Sequence, residues 1–277
     1  MNPLQFGIGV LLGVAAGGAA YAGGALTRGG GVAAALVGAV TFGLGGWLPS
    51  LLLLAFFISS SAFTRVGSRQ KRRIAGHMQK GGQRDEWQVL ANGALAAVLA
   101  AGYGLTGGQS WLVAMTGALA ASNADTWATE LGVLAAHQPR LITTWRPAET
   151  GTSGAVSLVG NLAAVGGALL VGSLGGALLG ISRAAAGVPA GTAVRLAASA
   201  ALGGLAGATF DSLLGATLQA SYYCPRCGQQ TEYHPIHTCG AATRHIRGWR
   251  WLGNDQVNLL ASTVGASVAL AIWLSLN

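Results

Sequence analysis

The chain has 277 residues, of which 52% are hydrophobic and only 9% are charged, and its formal net charge is +8. Soluble domains carry about 25% charged residues, so this composition excludes an ordinary soluble domain and indicates a polytopic membrane protein. The positive charge does not indicate a nucleic-acid partner, because the charge of a membrane protein has to be assigned loop by loop.

Apolar segments long enough to cross a bilayer, about 17–25 residues each, recur along the chain. We predict eight spans, near residues 4–26, 31–47, 48–64, 89–106, 110–135, 154–182, 191–221 and 255–276. A secretory signal carries positive charge before its apolar stretch. No Lys or Arg precedes Arg28, so the first span is interpreted as a retained helix. The predicted fold class is all-α: a transmembrane bundle of about eight helices, with seven in residues 1–221 and the last in 255–277.

Basic residues are concentrated on one side of this predicted topology. That side holds 14 of the 16 Lys and Arg, in the segments at Arg28, 65–88, 137–154 and 222–254, and leaves Arg183 and Arg195 opposite. The positive-inside rule makes the basic side cytoplasmic and both termini external. We expect a prokaryotic plasma membrane, with the basic loop 65–88 facing anionic headgroups of the lipid bilayer.

The acidic residues follow the same side. All eight lie in those loops or in the adjoining helix halves: Asp85, Glu86, Asp125, Glu130, Glu149, Asp211, Glu232 and Asp255. Carboxylates coordinate Mg²⁺, while Lys and Arg neutralise phosphate. The pattern predicts a cytoplasmic site for a polyanion held through a metal ion. A proton or ion path is the alternative that carboxylates inside a membrane leave open.

The segment "KGGQRDEWQVLANG", residues 80–93, combines charge with glycine. Its Gly pair lets backbone amides approach an anion, and Lys80 and Arg84 supply positive charge. Asp85 is expected to cap the following helix. Asn92 lies four residues after Gln88, so both share one helical face.

Charged and amide groups interrupt the apolar segment "SNADTWATELG", residues 122–132. Each ionised group costs about 2.5–3.5 kcal/mol at the centre of an inserted helix, so these groups need partners. Asn123, Thr126 and Glu130 share one face, whereas Asp125 is expected to point toward a neighbouring helix. Its expected hydroxyl partners are Thr126, Thr129 and Ser122. A buried polar cluster that only fixes helix packing is the alternative.

The stretch "ETGTSGAVSLVG", residues 149–160, is predicted to open the sixth helix with Gly151, Thr152, Ser153 and Gly154. A helix N-terminus offers unpaired N–H groups to a phosphate. No G-x-x-x-x-G-K-[ST] motif occurs, which excludes a Walker A loop. A simple turn is the alternative interpretation.

Two later segments repeat the pattern of polar groups in apolar helices. "ATFDSLLGATLQA" contains Asp211 and Ser212, and "GNDQVNLL" begins the last helix with Asn254, Asp255 and Asn258. For Asn254 and Asp255, helix capping is the alternative to a site role.

The loop "CPRCGQQTEYHPIHTCG", residues 224–240, contains all three cysteines of the chain. Cys224 and Cys227 form a C-x-x-C knuckle, and Cys239 with His237 completes a Cys₃His set that suits structural zinc. His234 remains the alternative fourth ligand. Such a site has four ligands and no catalytic water, so zinc is expected to fold the cytoplasmic loop 222–254 into a zinc-ribbon-like unit.

These stretches together, with "RGWRWLGND" after the cysteine loop, resemble the phytyl-phosphate kinase family of integral membrane proteins, also called the transmembrane protein 19 family. The resemblance runs in order from about Lys80 to Leu260. It implies transfer of a phosphoryl group from CTP, or another nucleoside triphosphate, to phytyl phosphate or another isoprenoid monophosphate, a step in tocopherol synthesis.

Under this hypothesis each predicted residue has a role. Asp125 and Asp211 would hold Mg²⁺ with help from Glu130 or Asp255, and Lys80 and Arg84 would clamp phosphates. Polar groups expected to contact the nucleotide are Asn92, Asn123, Gly151, Thr152, Ser153, Gly154, Ser212, Asn254 and Asn258. Two rivals stay open: a lipid-phosphate cytidylyltransferase, and a carrier or flippase whose carboxylates move ions.

Overall fold

The computed structural model describes residues 2–67, 71, 82–183 and 189–276. Lys80, predicted to contact phosphate, lies outside these residues. The described part forms eight long helices: α1 Pro3–Ala22, α2 Arg28–Gly45, α3 Trp47–Arg65, α4 Glu86–Thr106, α5 Gln109–Gly132, α6 Leu158–Arg183, α7 Ala190–Thr217 and α8 Asn254–Ser275. The predicted all-α bundle is confirmed, with short strands confined to the loops.

Helix α5 occupies the centre of the bundle. Seven of the eight described helices are long and apolar enough to cross a membrane, and α5 is the exception. It contacts α3, α4, α6, α7 and α8, and every residue from Leu112 to Ala124 is buried. Because protein rather than lipid surrounds α5, the polar residues of its C-terminal half are tolerated.

Small residues allow these helices to approach closely. A Cβ on Gly13 or Gly17 of α1 would collide with backbone carbonyls of Ala35 and Gly31 on α2. Lipid provides no hydrophobic drive for helices to associate, so close packing of small residues replaces it. The glycine-rich composition is therefore used for packing in this pair.

Several helix boundaries differ from the prediction for identifiable local reasons. Helix α4 begins at Glu86, three residues early, because Asp85 and Gln88 form a capping box, which confirms the expected cap. Helix α6 begins at Leu158 rather than near 154, because residues 155–156 form a strand. Helix α1 ends at Ala22, before Gly24 adopts a φ of 70°.

The loops carry five short strands. Strands β1 (Arg140–Leu141) and β2 (Ala155–Val156) pair antiparallel. In the segment between α7 and α8, strands β3 (Ser221–Cys224), β4 (Gln229–Thr231) and β5 (Arg244–Arg247) form an antiparallel sheet of order β4-β3-β5. This second sheet, with the cysteine loop it carries, is called the ribbon below (residues 221–247).

Arg247 fixes the ribbon to the bundle. Its guanidinium donates hydrogen bonds to the carbonyl oxygens of Ala216 and Gly215, the latter at 2.8 Å. Carbonyls in the last turn of a helix have no partner within the helix, so Arg247 satisfies the end of α7. Burial lowers the pKa of Arg247, although an arginine remains protonated in proteins.

The loop that joins α1 to α2 and the segment before α4 meet at the same end of the bundle. Arg65 at the end of α3 donates to the carbonyl of Gly23 at 2.8 Å. Backbone hydrogen bonds of 3.0 Å join Arg84 to Ala25 and Thr27. These contacts agree with the predicted topology, in which the basic segments share one side.

Candidate functional site

A cavity of about 590 Å³ opens at this loop-bearing end of the bundle. Its walls come from α4 to α8, from the loop between α5 and α6, and from the ribbon. Most of the predicted site residues line it: Arg84, Asn92, Asp125, Glu130, Gly151, Thr152, Ser153, Gly154, Asp211, Ser212, Asn254 and Asn258. Residues far apart in the chain are therefore brought to one concave surface.

Three carboxylates on three separate elements meet in this cavity: Asp125 from α5, Asp211 from α7 and Glu232 from the ribbon. They lie close enough to interact electrostatically. The Oδ2 atom of Asp211 is buried and has no hydrogen-bond partner in the described part of the chain. Neighbouring buried carboxylates repel one another, and oxygen ligands of this kind suit Mg²⁺. The donor types therefore suit a divalent cation.

Glu232 is a site residue that the sequence analysis did not identify. Its Oε1 atom accepts hydrogen bonds from Ser153 Oγ at 2.7 Å and from Gln219 Nε2 at 2.8 Å. Burial, and then the charge of Glu232, raise the pKa of the adjacent Tyr233. The available signal was that Glu232 is the one acidic residue in the basic segment 222–254.

Arg84 is the one cation that lines the cavity within the described residues. Its Nη1 atom donates to Ser61 Oγ at 3.2 Å. Burial lowers the pKa of Arg84, and Glu130 partly offsets that effect. Because arginine stays protonated and presents several donors in a plane, Arg84 is suited to bind a phosphate in the cavity.

Glu130 lines the cavity but is held by α3 and by the segment that follows it. Its Oε1 accepts a hydrogen bond of 2.7 Å from Thr64 Oγ1, and its Oε2 forms an ion pair of 2.6 Å with Lys71 Nζ. Both carboxylate oxygens therefore have partners, in contrast to Asp211. This arrangement suits a positioning residue better than a metal ligand.

Asn123 and Asp255 do not reach the cavity. The side chain of Asn123 is fully buried, and its Oδ1 accepts from Ser59 and Ser60 at 3.0 and 3.1 Å while its Nδ2 donates to the Gly167 carbonyl at 2.9 Å. It joins α5 to α3 and α6, which agrees with the alternative interpretation of a buried polar group that fixes helix packing. Asp255 lies in the first turn of α8, two residues after the N-cap Gly253.

One prediction about a hydrogen bond and one about the start of a helix were wrong. Thr126 Oγ1 donates at 2.7 Å to the carbonyl of Ser122 in its own helix, so it is not the hydroxyl partner expected for Asp125. The Gly/Ser/Thr stretch is not a helix N-terminus, because β2 separates it from α6. A phosphate at Gly151 or Gly154 would meet the amides of a turn and not a helix dipole.

Gly154 is required by the close contact of this turn with α7. Its φ is 78°, and a Cβ there would collide with the backbone of Ala216 at the end of α7. Ser157 Oγ accepts a hydrogen bond of 3.1 Å from Gly160 N and so occupies a donor of the first turn of α6. The turn is thereby packed between two helix ends at the cavity wall.

Trp145 lines the cavity with an exposed indole in an unusual backbone conformation. It is 62% exposed and has a φ of 54°, which is uncommon for a residue other than glycine. Hydrogen bonds of 2.8 Å from Trp145 N to the Leu141 carbonyl, and from Arg140 Nη1 to the Trp145 carbonyl, hold this conformation. Backbone strain of this kind clusters at ligand sites.

The ribbon contains a cluster of four ligand-type side chains. The ligand atoms of Cys224, Cys227, His237 and Cys239 all lie within 4.8 Å of one another, and His237 Nδ1 is 3.3 Å from Cys239 Sγ. His234 is not part of the cluster, because its ring stacks on Tyr222 with the centroids 4.4 Å apart. The four residues could hold a metal ion.

Comparison with known proteins places the chain among integral membrane proteins. The family model described as "Integral membrane protein DUF92" matches residues 11–266. Protein PGR of Arabidopsis thaliana is 37% identical over 84% of this chain and 83% of its own length. The uncharacterized membrane protein MJ0933 of Methanocaldococcus jannaschii is 32% identical, over 88% and 84% of the two chains.

A more distant relative is Protein VTE6, chloroplastic, of Arabidopsis thaliana, which is 27% identical over 87% of this chain and 63% of its own length. No solved structure matches the chain significantly. The family match extends over all the elements that line the cavity and over the ribbon. The chain therefore belongs to the integral membrane protein DUF92 family.

Proposed function

We propose that this protein is an integral membrane kinase that transfers the γ-phosphoryl group of CTP, or another nucleoside triphosphate, to an isoprenoid monophosphate such as phytyl phosphate. The observation that carries the proposal is the convergence of Asp125, Asp211 and Glu232 with Arg84 in one cavity. The resemblance of the sequence motifs to the phytyl-phosphate kinase family provides the reaction class.

The carboxylates provide the first element of this chemistry. Asp125, Asp211 and Glu232 would hold Mg²⁺, which when bound neutralises and orients the phosphates of the nucleotide. Arg84 would contact phosphate oxygens directly. Catalysis of phosphoryl transfer depends mainly on positioning and charge neutralisation, so a site with three carboxylates and a buried arginine is well suited to it.

The reaction needs no strong base. An oxygen of the acceptor monophosphate attacks the γ-phosphorus, the bond to the β–γ bridging oxygen breaks, and CDP leaves with that oxygen. The acceptor is already an anion, so no proton has to be removed before it attacks. This explains why Glu130 can be committed to Thr64 and Lys71 and why the other carboxylates can all serve the cation.

The ribbon and Trp145 support the same assignment. The Cys₃His set suits zinc, and a closed four-ligand site supplies folding energy rather than chemistry. Zinc would thus fix the fold that presents Glu232 to the cavity.

The exposed Trp145 at the cavity wall offers a face on which a nucleobase can stack. By the positive-inside rule this end of the bundle would face the cytoplasm.

The decisive experiment supplies purified protein in lipid nanodiscs with Mg²⁺ and a panel of prenyl monophosphates. CTP labelled at the γ-phosphate is expected to transfer its label to a lipid diphosphate, and CTP labelled at the α-phosphate is not. Transfer of the α label would instead indicate a cytidylyltransferase. Labelling of a cysteine at position 125 from the external face, without product formation, would favour a carrier.

A further inference from the structure

Exposed residues of α6 and α7 line the cavity on the outer surface of the bundle. Val165 of α6 is 40% exposed although it lines the cavity, and Asn161 of α6 and Thr209 of α7 are also exposed lining residues. Behind them, Ala164 and Ala208 are buried. The cavity therefore extends to the outer surface between α6 and α7 at this position, which is called the opening below.

The backbones of the two helices approach each other closely beyond the opening. A Cβ on Gly172 would meet the Ala197 carbonyl at 2.7 Å, and a Cβ on Gly176 would meet the Ala193 carbonyl at 2.5 Å. Nearer the loops, the small residues of α6 face α5 instead, and a Cβ on Gly160 would meet the Ala128 carbonyl at 3.1 Å. Helix α6 thus packs closely against α5 there, and at the opening α6 and α7 contribute only the small buried side chains Ala164 and Ala208 to the shared cluster.

The depth of the opening matches the boundary between headgroups and hydrocarbon. Helices α6 and α7 have 26 and 28 residues, which correspond to about 39 and 42 Å and to the full thickness of a bilayer, about 40–45 Å. Val165 and Thr209 lie about 10–12 Å from the loop-side ends of their helices. The outer 5–8 Å on each side of a bilayer is interfacial, so these residues lie at the edge of the hydrocarbon.

The lining changes from charged to apolar between the two ends of the cavity. Asp125 and Asp211 belong to its polar lining, whereas Val165, which is exposed at the opening, and the half-buried Leu205 are apolar. A volume of about 590 Å³ is typical of a pocket for one small molecule. A nucleoside triphosphate fills such a pocket, so the long hydrocarbon of an acceptor has to remain outside it.

We infer that the opening between α6 and α7 is the entrance for the acceptor, a single-chain amphiphile with a terminal phosphate whose chain stays in the bilayer. This inference rests on the proposed function for the identity of the head group. The phosphate reaches the carboxylate side of the cavity while the chain extends past Val165 and Thr209 into lipid. The chain is not transferred to water, which is unfavourable for each of its CH₂ groups.

The first experiment narrows the entrance. Val165→Trp is expected to raise the KM for a C20 prenyl monophosphate by about tenfold or more, a typical penalty for altering an apolar binding surface, and to raise the KM for a C5 monophosphate much less. Leu162→Trp is the matched control, because Leu162 is an exposed residue of the same helix that does not line the cavity. Equal KM values for the C20 acceptor in both variants would overturn the inference.

The second experiment measures binding without turnover. A C20 prenyl monophosphate with a diazirine in the part of its chain nearest the phosphate is photolysed with the protein in phosphatidylcholine nanodiscs. Labels on α6 and α7 near Val165 and Thr209 that unmodified C20 monophosphate displaces are expected. Displaceable labels elsewhere, or labels that are not displaced, would contradict the entrance. If labels appear as expected but no acceptor is phosphorylated, the entrance stands and the kinase proposal fails.

Discussion

Ser153 donates a hydrogen bond of 2.7 Å to Glu232, and this contact joins the turn before α6 to the ribbon between α7 and α8. Gln219 donates a second hydrogen bond of 2.8 Å to the same oxygen. A carboxylate held from two sides has a defined position beside Asp125 and Asp211. The ribbon is therefore part of the site and not an appended loop.

Glu232 provides the first test of this arrangement. Glu232→Gln keeps the side-chain size and removes the charge, so product formation is expected to fall by about 100-fold or more if the carboxylate binds the cation. Activity is measured with labelled CTP and a prenyl monophosphate at several Mg²⁺ concentrations. Glu149→Gln is the control, because Glu149 is an acid of the adjacent loop that does not line the cavity. Equal activities of the two variants would exclude Glu232 from the site.

The cation site can also be tested by stability. For the wild type, Mg²⁺ at 100 times its Kd is expected to raise the free energy of unfolding by about 2.7 kcal/mol. Asp211→Asn should abolish this gain and should be at least as stable without Mg²⁺, because it removes a buried charge whose Oδ2 has no hydrogen-bond partner. The measurement is the Tm in detergent with and without Mg²⁺. A full Mg²⁺ effect in the variant would refute the assignment.

The identity of the fourth ligand in the ribbon gives a paired prediction. Zinc is expected at about one ion per chain in the wild type, since the Cys₃His set suits a single structural site. His237→Ala should lose it, and His234→Ala should keep it because His234 stacks on Tyr222 outside the cluster. Metal content is measured by mass spectrometry. Product formation should fall with the zinc content, because the ribbon presents Glu232 to the cavity.

Removing the ion pair between Glu130 and Lys71 distinguishes a positioning role of Glu130 from a role in metal binding. Glu130→Gln is expected to lower the free energy of unfolding by about 1.5–3 kcal/mol, the usual contribution of a hydrogen bond to a charged group. It should reduce activity much less than Asp211→Asn. Both variants are compared by thermal unfolding and by product formation at saturating Mg²⁺. A loss of activity as large as that of Asp211→Asn would make Glu130 a direct ligand.

Trp145 gives a prediction specific to the nucleotide. Trp145→Ala is expected to raise the KM for CTP by about 5- to 150-fold, which corresponds to about 1–3 kcal/mol of base stacking, and to leave the KM for the prenyl monophosphate unchanged. Trp145→Phe, which keeps an aromatic face, should retain most of the affinity. A parallel rise of both KM values in Trp145→Ala would indicate a distorted loop and no stacking.

The sequence was sufficient to determine the membrane class and the helix count, because these depend on local hydrophobicity and on simple counting. It also identified the cysteine knuckle and the cap at Asp85, which act over a few residues. The periodicity of α5 separated Asp125 from the face of Asn123 and Glu130. This separation agrees with the surroundings of Asn123, whereas Glu130 lines the same cavity as Asp125.

The tertiary structure alone decided which polar groups share the cavity. Asn123 and Asp125 are two residues apart in one helix, yet the first fixes helix packing and the second lines the site, because different neighbours face the two sides of α5. Glu232 joins the site only because the ribbon folds back over the end of α7. Such contacts connect residues that are about 80–110 positions apart in the chain. Hydrophobic pattern and local spacing carry no information at that range, since helix packing sets the meeting point.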